Sequence, residues 1–578
     1  MRWSPPGISD IPRGVIPNRW DLLAVPLILG ILFLFAAGAR QMTQPLAAPQ
    51  AIALSLDPAY LPVYALRTTL RMLVAMGFSL LFTFTYATAA AKSRRAELVL
   101  IPVLDVLQSV PVLGYVSFAV TFFLALFPGS VLGAEFAAIF AIFTSQAWNM
   151  AFSFYQSLRT VPPDLQEVSR SFRFTAWQRF WRLEVPFAMP SLIWNMMMSM
   201  SGGWFFVVAS EAIAVGSHTV SLPGVGSYVA LAIDQRDLGA IGWAVVTMLA
   251  VILIYDQLLF RPLVAWADKF RVELSVGQIG PESWLLRLFR RTRLLNTAAA
   301  PLGRALRRIS IWPGPRFAAG RSGSSSSPRM RALGEAIWYA IVAAITALIV
   351  WRAAVTVSGE LGWSDLWTAL WLGAITLLRV AVLITFASLI WVPVGVRIGM
   401  KPNLAQTAQP IAQFLAAFPA NLLFPIMVFL IVRFGLNQDV WLSLLMILGA
   451  QWYILFNVVA GASAFPNDLK DAASNLHISG WQWWRQVGLP GVFPYYITGA
   501  ITASGGCWNA AIVAEAVSWG DTHLEAHGLG AYIAAATVHG DFPRIVLGIA
   551  VMSLYVILTN RLLWRPLYQL AVRRFRFD

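Results

Sequence analysis

The chain is 578 residues long, 58% hydrophobic and only 12% charged, with a mean hydropathy of +0.67. Soluble domains carry roughly 25% charged residues, so this composition excludes an ordinary cytosolic enzyme, and 25 Trp with 36 Phe exclude a disordered chain. The single cysteine, Cys507, excludes a disulfide framework and a Cys-based zinc site; the formal charge of +15 lies mostly between apolar runs, which fits retention on the cytoplasmic side of a bilayer and not nucleic-acid binding.

A membrane span needs about 20 mostly apolar residues. In chain order, such runs predict spans at 21–38, 66–91, 97–127, 131–156, 188–216 and 239–260, then at 335–355, 366–396, 405–432, 439–462, 492–519 and 543–564. The first run follows Arg2, Arg13 and Arg19 without a convincing small-residue cleavage site, so it reads as a retained span. Basic residues set the orientation. The loops predicted inside carry Lys92, Arg94 and Arg95, then Arg170, Arg173, Arg179 and Arg182, then Arg397 and Lys401, while the C-terminus carries Arg573, Arg574 and Arg576. Loops predicted outside mix signs, as in Asp234, Arg236 and Asp237. The expected fold is therefore an all-α polytopic membrane protein of about twelve transmembrane helices, with both termini cytoplasmic.

The expected organisation is a first half over 1–267, a basic linker over 268–333 and a second half over 334–578. The linker holds twelve Arg against Glu273 and Glu282, and it includes the low-complexity run Gly320 to Pro328. Trp284, Leu285, Leu288 and Phe289 beside Arg287, Arg290 and Arg291 predict a short basic amphipathic helix. It would lie on anionic headgroups, or serve as a plain tether.

Sliding the chain by 304 residues aligns the two halves on themselves. Asp164-Leu165 falls on Asp468-Leu469, and Trp177-Gln178 on Trp481-Gln482. Trp204, Glu211 and Gly216 fall on Trp508, Glu515 and Gly520, while Gly224, Gly226 and Tyr228 fall on Gly528, Gly530 and Tyr532. A 308-residue shift pairs Arg71 with Arg379 and Pro111 with Pro419. Apolar composition alone would not align Trp, Pro, Gly and charged residues. Six spans per half give both halves the same orientation, hence two parallel six-helix repeats about an axis along the membrane normal, with a pathway between them.

The inside loop between the fourth and fifth spans is the most specific signal. In each copy a proline opens a short helix, with Asp164 and Glu167, or Asp468 and Asp471, near its N-terminus, where the helix dipole favours acid. Leu165, Val168 and Phe172 share one face, as do Leu469, Ala472 and Leu476. Such a face either docks into a groove on a partner or packs on the protein's own span ends. Trp177, Phe180 and Trp181, and Trp481, Trp483 and Trp484, mark the return to the headgroup level.

This loop resembles the EAA motif of bacterial ABC importer permeases. The pattern falls on Glu167-Val168-Ser169 with Leu183-Glu184-Val185-Pro186, and on Asp471-Ala472-Ala473 with Val487-Gly488-Leu489-Pro490. The motif glycine is replaced by Arg173 and His477. The stretches Trp204 to Gly226 and Trp508 to Gly530 resemble permeases of the nitrate/sulfonate/taurine branch, here with two permease halves fused. The resemblance implies a type I ABC importer (MetI-like) fold in the bacterial inner membrane. The two loop helices would couple to two copies of a separate cytoplasmic ATPase, which would hold the ATP and Mg; a periplasmic solute-binding protein would deliver a small solute, such as nitrate, a sulfonate, taurine or bicarbonate. An ion-coupled secondary transporter is the alternative, but mid-membrane coupling residues are sparse.

The chain itself reads as no enzyme and no binder of a cofactor or metal. Its lysines lie at 92, 269, 401 and 470 and none follows a glycine, so the phosphate-binding Gly-x-x-x-x-Gly-Lys-Ser/Thr loop is missing. His523 and His527 are four apart but sit in a loop, which makes a poor metal site. Glu211 and Glu515 are acids at the ends of matched spans, and such charges face a bundle interior or water. They either line a gate or pair with Arg71 and Arg379 to fix packing; the second is preferred, because paired carboxylates would repel an anionic cargo. Trp204 and Trp508, about two turns earlier, are gate residues or packing residues.

Overall fold

The structure is a computed structural model. It describes residues 54–270, 283–312 and 359–574 apart from positions 110, 111, 129, 216, 217, 464 and 466, with short pieces between 20 and 36 and between 338 and 355.

In the first half, α1 (Pro58–Lys92) leads into α2 (Arg94–Ser109), α3 (Val112–Leu126) and α4 (Val131–Arg159). The short α5 (Pro163–Ser171) precedes the long α6 (Ala176–Glu211), and a hairpin of β1 (Ala212–Val215) and β2 (His218–Ser221) follows. The half closes with α7 (Val225–Asp234) and α8 (Leu238–Phe270). Two helices lie between the halves, α9 (Trp284–Arg291) and α10 (Arg293–Ile311). The second half repeats the order: α11 (Trp363–Gly399), α12 (Pro402–Ala417), α13 (Phe424–Phe434), α14 (Gln438–Leu448) and α15 (Gln451–Ser463). Then come α16 (Asn467–Asn475), α17 (Leu489–Ala514), β3 (Ala516–Trp519), β4 (Thr522–Glu525), α18 (Leu529–His539) and α19 (Phe542–Ala571).

Six described helices (α1, α4, α6, α8, α11 and α19) are long and apolar enough to cross a membrane alone, and two bent pairs raise the number to eight. Of the twelve or so expected spans, six to eight are thus accounted for among the described residues. The expected spans at 21–38 and 335–355 lie largely outside the described residues. Of the run at 97–127, α2 and α3 are described, and residues 110 and 111 between them lie outside the described residues. Its counterpart at 405–432 bends by 72° between α12 and α13. Phe418 there is extended (ψ 127) because the residue before a proline, here Pro419, is pushed out of the helical region. The run at 439–462 bends by 43° between α14 and α15 at Gly449-Ala450. The glycines, threonines and Asn509 within α17 lower its hydropathy, and it stands outside the eight although it is 26 residues long.

The described residues are mostly helical, as expected, but the fifth spans end early. The fifth spans were expected to run to 216 and 519, but the helices end at Glu211 and Ala514, and each is followed by an antiparallel hairpin. Register pairs Ala212 with Ser221 and Ala516 with Glu525. The runs Ala212–Val215 and Ala516–Trp519 are apolar enough to read as more helix. The close-approaching glycines downstream are what return the chain toward the helix end.

Packing repeats as the order does. α4 lies against α1 and α6 in the first half, and α15 against α11 and α17 in the second. Wide π-type turns recur at the same shift: Phe180–Glu184 with Trp484–Gly488, and Asp256–Phe260 with Asn560–Trp564. One apolar core runs through both halves, from Met72 and Phe154 to Trp508 and Met552.

Candidate functional site: two loop helices, two buried ion pairs and a central cavity

The loop helices α5 and α16 are nine residues each and close in the same way. Pro163 opens α5 where its missing N–H leaves nothing unpaired. At the other end the Phe174 N–H donates to the Ser169 carbonyl at 3.0 Å, and in the second copy Ile478 donates to Ala473 at 2.9 Å. This closure requires a left-handed residue in between. Arg173 (φ 52°) and His477 (φ 51°) occupy those positions, which are the motif glycine positions. A side chain there costs about 1–2 kcal/mol relative to glycine's freedom, so the loop keeps the glycine's backbone shape without the glycine.

The closure fixes which face points outward. Ser169 and Ala473 are buried against the body, whereas Phe172 is 70% exposed, Val168 50% and Leu476 71%. Leu165 and Leu469 are half-buried; Asp164, Glu167, Arg173, Asp471, Ala472 and His477 are exposed. The side chain of Asp468 lies outside the described residues. Each half thus presents a short helix whose outward side carries large apolar groups that touch little of this chain.

At the far end of α6, Glu211 is wholly buried. Arg71 Nη1 donates to it at 2.7 Å, Thr68 Oγ1 at 2.7 Å and the Gly226 N–H at 2.7 Å. The same guanidinium grips Glu135 through Nε at 2.6 Å and Nη2 at 2.7 Å. The second half builds the same knot. Glu515 accepts from Arg379 Nη1 at 3.1 Å, Thr376 Oγ1 at 3.0 Å and the Gly530 N–H at 2.7 Å, and Arg379 Nη2 donates to Asp439 at 2.7 Å. Buried charge is tolerated only when paired and fully hydrogen-bonded, and these partners supply that. The glycines follow from the same crowding: a Cβ at Gly224 or Gly528 would strike the carboxylate, and one at Gly226 or Gly530 would strike the Val208 or Ala511 carbonyl. Sequence reasoning singles out Glu211, Glu515, Arg71 and Arg379 but misses Glu135 and Asp439. The signal is there, since the repeat shift lays one acid on the other.

Trp204 and Trp508 are each 1% exposed. Trp204 meets Tyr255 edge-on at 5.7 Å and Trp508 stacks on Tyr555 at 6.4 Å, so each packs against the last long helix of its own half. Neither they nor the two glutamates border the central cavity. That cavity, about 190 Å³, lies between the halves and takes side chains from both. Its polar lining is Gln108, Thr144, Ser145, Asn149, Ser199 and Ser201 from the first half and Tyr453, Thr502 and Asn509 from the second. Trp148, Phe205, Phe206 and Phe418 supply aromatic walls, and among the described residues no charged side chain lines it. Asn509 joins the halves beside it by accepting the Val112 N–H at 2.7 Å.

Compared with known proteins, the chain matches the binding-protein-dependent transport system inner membrane component twice, over residues 79–260 and 391–576. The chain belongs to this family. Two family domains are fused in it, and each contains one loop helix, one buried glutamate and one wall of the cavity. Among its curated relatives, the nitrate import permease of Leptolyngbya laminosa is 30% identical over 192 residues, which is 33% of this chain and 65% of that protein. The bicarbonate transport system permease of Synechococcus elongatus is 30% identical over 191 residues, 33% of this chain and 66% of that protein. The glycine betaine/carnitine transport permease of Listeria monocytogenes is 27% identical over 169 residues, 29% of this chain and 54% of that protein. The chain therefore spans a little under two thirds of the length of the first two relatives and about half of the third.

Proposed function

We propose that this permease forms the whole translocation pathway of an ABC importer from one polypeptide, and that α5 and α16 are its two coupling helices. Each would seat its outward apolar side in a groove of a separate cytoplasmic ATPase subunit, two in all, which would bind the ATP and Mg. ATP-driven approach of those subunits would move the loop helices, and the long helices α6 and α17 that follow them would carry the motion across the bilayer. The observation that carries this reading is the duplicated, identically closed helix with Phe172 and Leu476 left exposed. The basic loops favour a cytoplasmic side for these helices and for both termini, in a bacterial inner membrane and with the two halves parallel. On the opposite side, the hairpins would face a solute-binding protein.

The cargo we propose is a small anion of the nitrate or bicarbonate kind. The named relatives favour it, and a cavity of hydroxyls and amides would hold an anion by dipoles. Trp204, Glu211, Trp508 and Glu515 then act by fixing the helices around the pathway. An ion-coupled carrier is not favoured, because the family matched in both halves works with a binding protein. The test replaces Phe172 and Leu476 with serine in the same chain. The expected result is a folded permease that loses its ATPase on purification, or that hydrolyses ATP without uptake of labelled nitrate or bicarbonate. Unchanged assembly and uptake would overturn the coupling role.

A further inference from the structure

The helices between the halves have a place that repeats nowhere else among the described residues. On α10, Arg304, Arg307 and Arg308 share one face by i, i+3, i+4 spacing, and Ile309 falls on the opposite face. All three arginines are exposed. The start of α10 is tied down where the Leu294 N–H donates to Asp21 at 3.0 Å. Its end is tied to the first turn of α6: Trp177 Nε1 donates to the Ile309 carbonyl at 2.7 Å, Gln178 Nε2 to the Ile311 carbonyl at 2.6 Å, and Trp312 lies edge-on to Trp177 at 5.9 Å.

The first turn of a spanning helix that carries Trp177 and Trp181 is where the chain enters the bilayer, the level at which such rings settle. The end of α10 is therefore held at headgroup depth. There Ile309 is 48% and Trp312 52% exposed. In the second half no described element takes this place, and Trp481, the counterpart of Trp177, is 76% exposed. The neighbouring helix α9 behaves differently. Leu285 and Leu288 are buried against Ala24, so its apolar face is covered by the protein itself.

We propose that α10 is a docking surface for anionic phospholipid headgroups, held against the first turn of α6 just after the first loop helix and without a counterpart among the described residues of the second half. Exposed apolar groups at the depth of the aromatic residues, with three guanidinium groups on the opposite face of the same helix, suit a lipid surface. An acidic protein in the aqueous phase would meet the arginines but not that depth. Arg173, which closes α5, lies only four residues before Trp177, so lipid charge would bear on one coupling helix and not the other. The proposal needs only that the chain spans a membrane, and it stands or falls apart from the ATPase reading.

The test uses the full chain in vesicles. Cys507 is buried and does not compete for label, so Ile309→Cys carries an environment-sensitive fluorophore. Spin-labelled phosphatidylglycerol and spin-labelled phosphatidylcholine then serve as quenchers. The expected result is stronger quenching by phosphatidylglycerol, with the preference lost when Arg304, Arg307 and Arg308 become Gln; the loss corresponds to about fivefold in lipid partitioning per arginine. Equal quenching by the two lipids, or a preference that survives the triple substitution, would overturn the proposal. So would a fluorophore shielded from both lipids, which would mark a protein occupant.

Discussion

The two buried knots have the same wiring and different seals. In the first half Arg71 is 0% and Glu135 2% exposed in their side chains, so both lie in the dry interior. In the second half Arg379 is 12% and Asp439 36% exposed, and His527, itself 75% exposed, leans on Asp439 at 3.1 Å. Aspartate is one methylene shorter than glutamate, so Arg379 must reach toward the surface to meet it. Duplication has kept the charges but not the packing around them. Breaking the first knot strands two carboxylates without water, whereas breaking the second leaves Asp439 with solvent and a histidine.

The sharpest way to break this comparison is to remove the arginines one at a time. Arg71→Ala should cost about 3–5 kcal/mol, the penalty of orphaning a buried charge, and should sharply reduce the folded protein recovered from membranes. Arg379→Ala should cost clearly less, since solvent screens Asp439 and only Glu515 is left dry. Thermal melting of the two variants in one detergent reads the difference; equal losses would mean the seals do not differ in effect. Next in size come the glycines that cradle each carboxylate. Gly226→Ala and Gly530→Ala press a methyl group onto a carbonyl in both halves and should each cost about 1–3 kcal/mol, the usual range for overpacking. Here the halves should behave alike, because the crowding is backbone-borne; a harmless Gly530→Ala would show that the second half yields there too. The smallest effect belongs to the loop closures. Arg173→Gly and His477→Gly relieve a left-handed side chain and should leave melting unchanged or raise stability by up to about 1 kcal/mol. A marked loss in only one of them would show that its side chain makes a contact the other lacks.

Much of this is legible in the residues. The repeat shift, the two loop helices and their outward residues Val168, Phe172 and Leu476 can all be read from spacing, because short helices with proline starts and acidic first turns write their ends into the sequence. Arg71 and Glu211 stand out because charge is rare in apolar runs. The hairpins are hidden for the converse reason. Ala212–Val215 and Ala516–Trp519 are apolar strands of four residues that prolong an apolar helix, and only their pairing with His218–Ser221 and Thr522–Glu525 reveals them. The break beside Pro419 escapes a reading by hydropathy, which carries no record of direction. Glu135 and Asp439 escape because each is a single acid near the start of its own run, and a partner 64 or 60 residues away leaves no local trace.

The central chamber has a consequence for where discrimination is made. With walls of hydroxyl, amide and aromatic groups and no fixed charge among the described residues, it would offer the proposed anionic cargo only partial replacement for lost hydration. Such a room makes a shallow well: a guest enters without being trapped and leaves without needing a strong push. On the proposed pathway such a corridor would sort its guests poorly, and the choice of what is admitted would fall before the threshold.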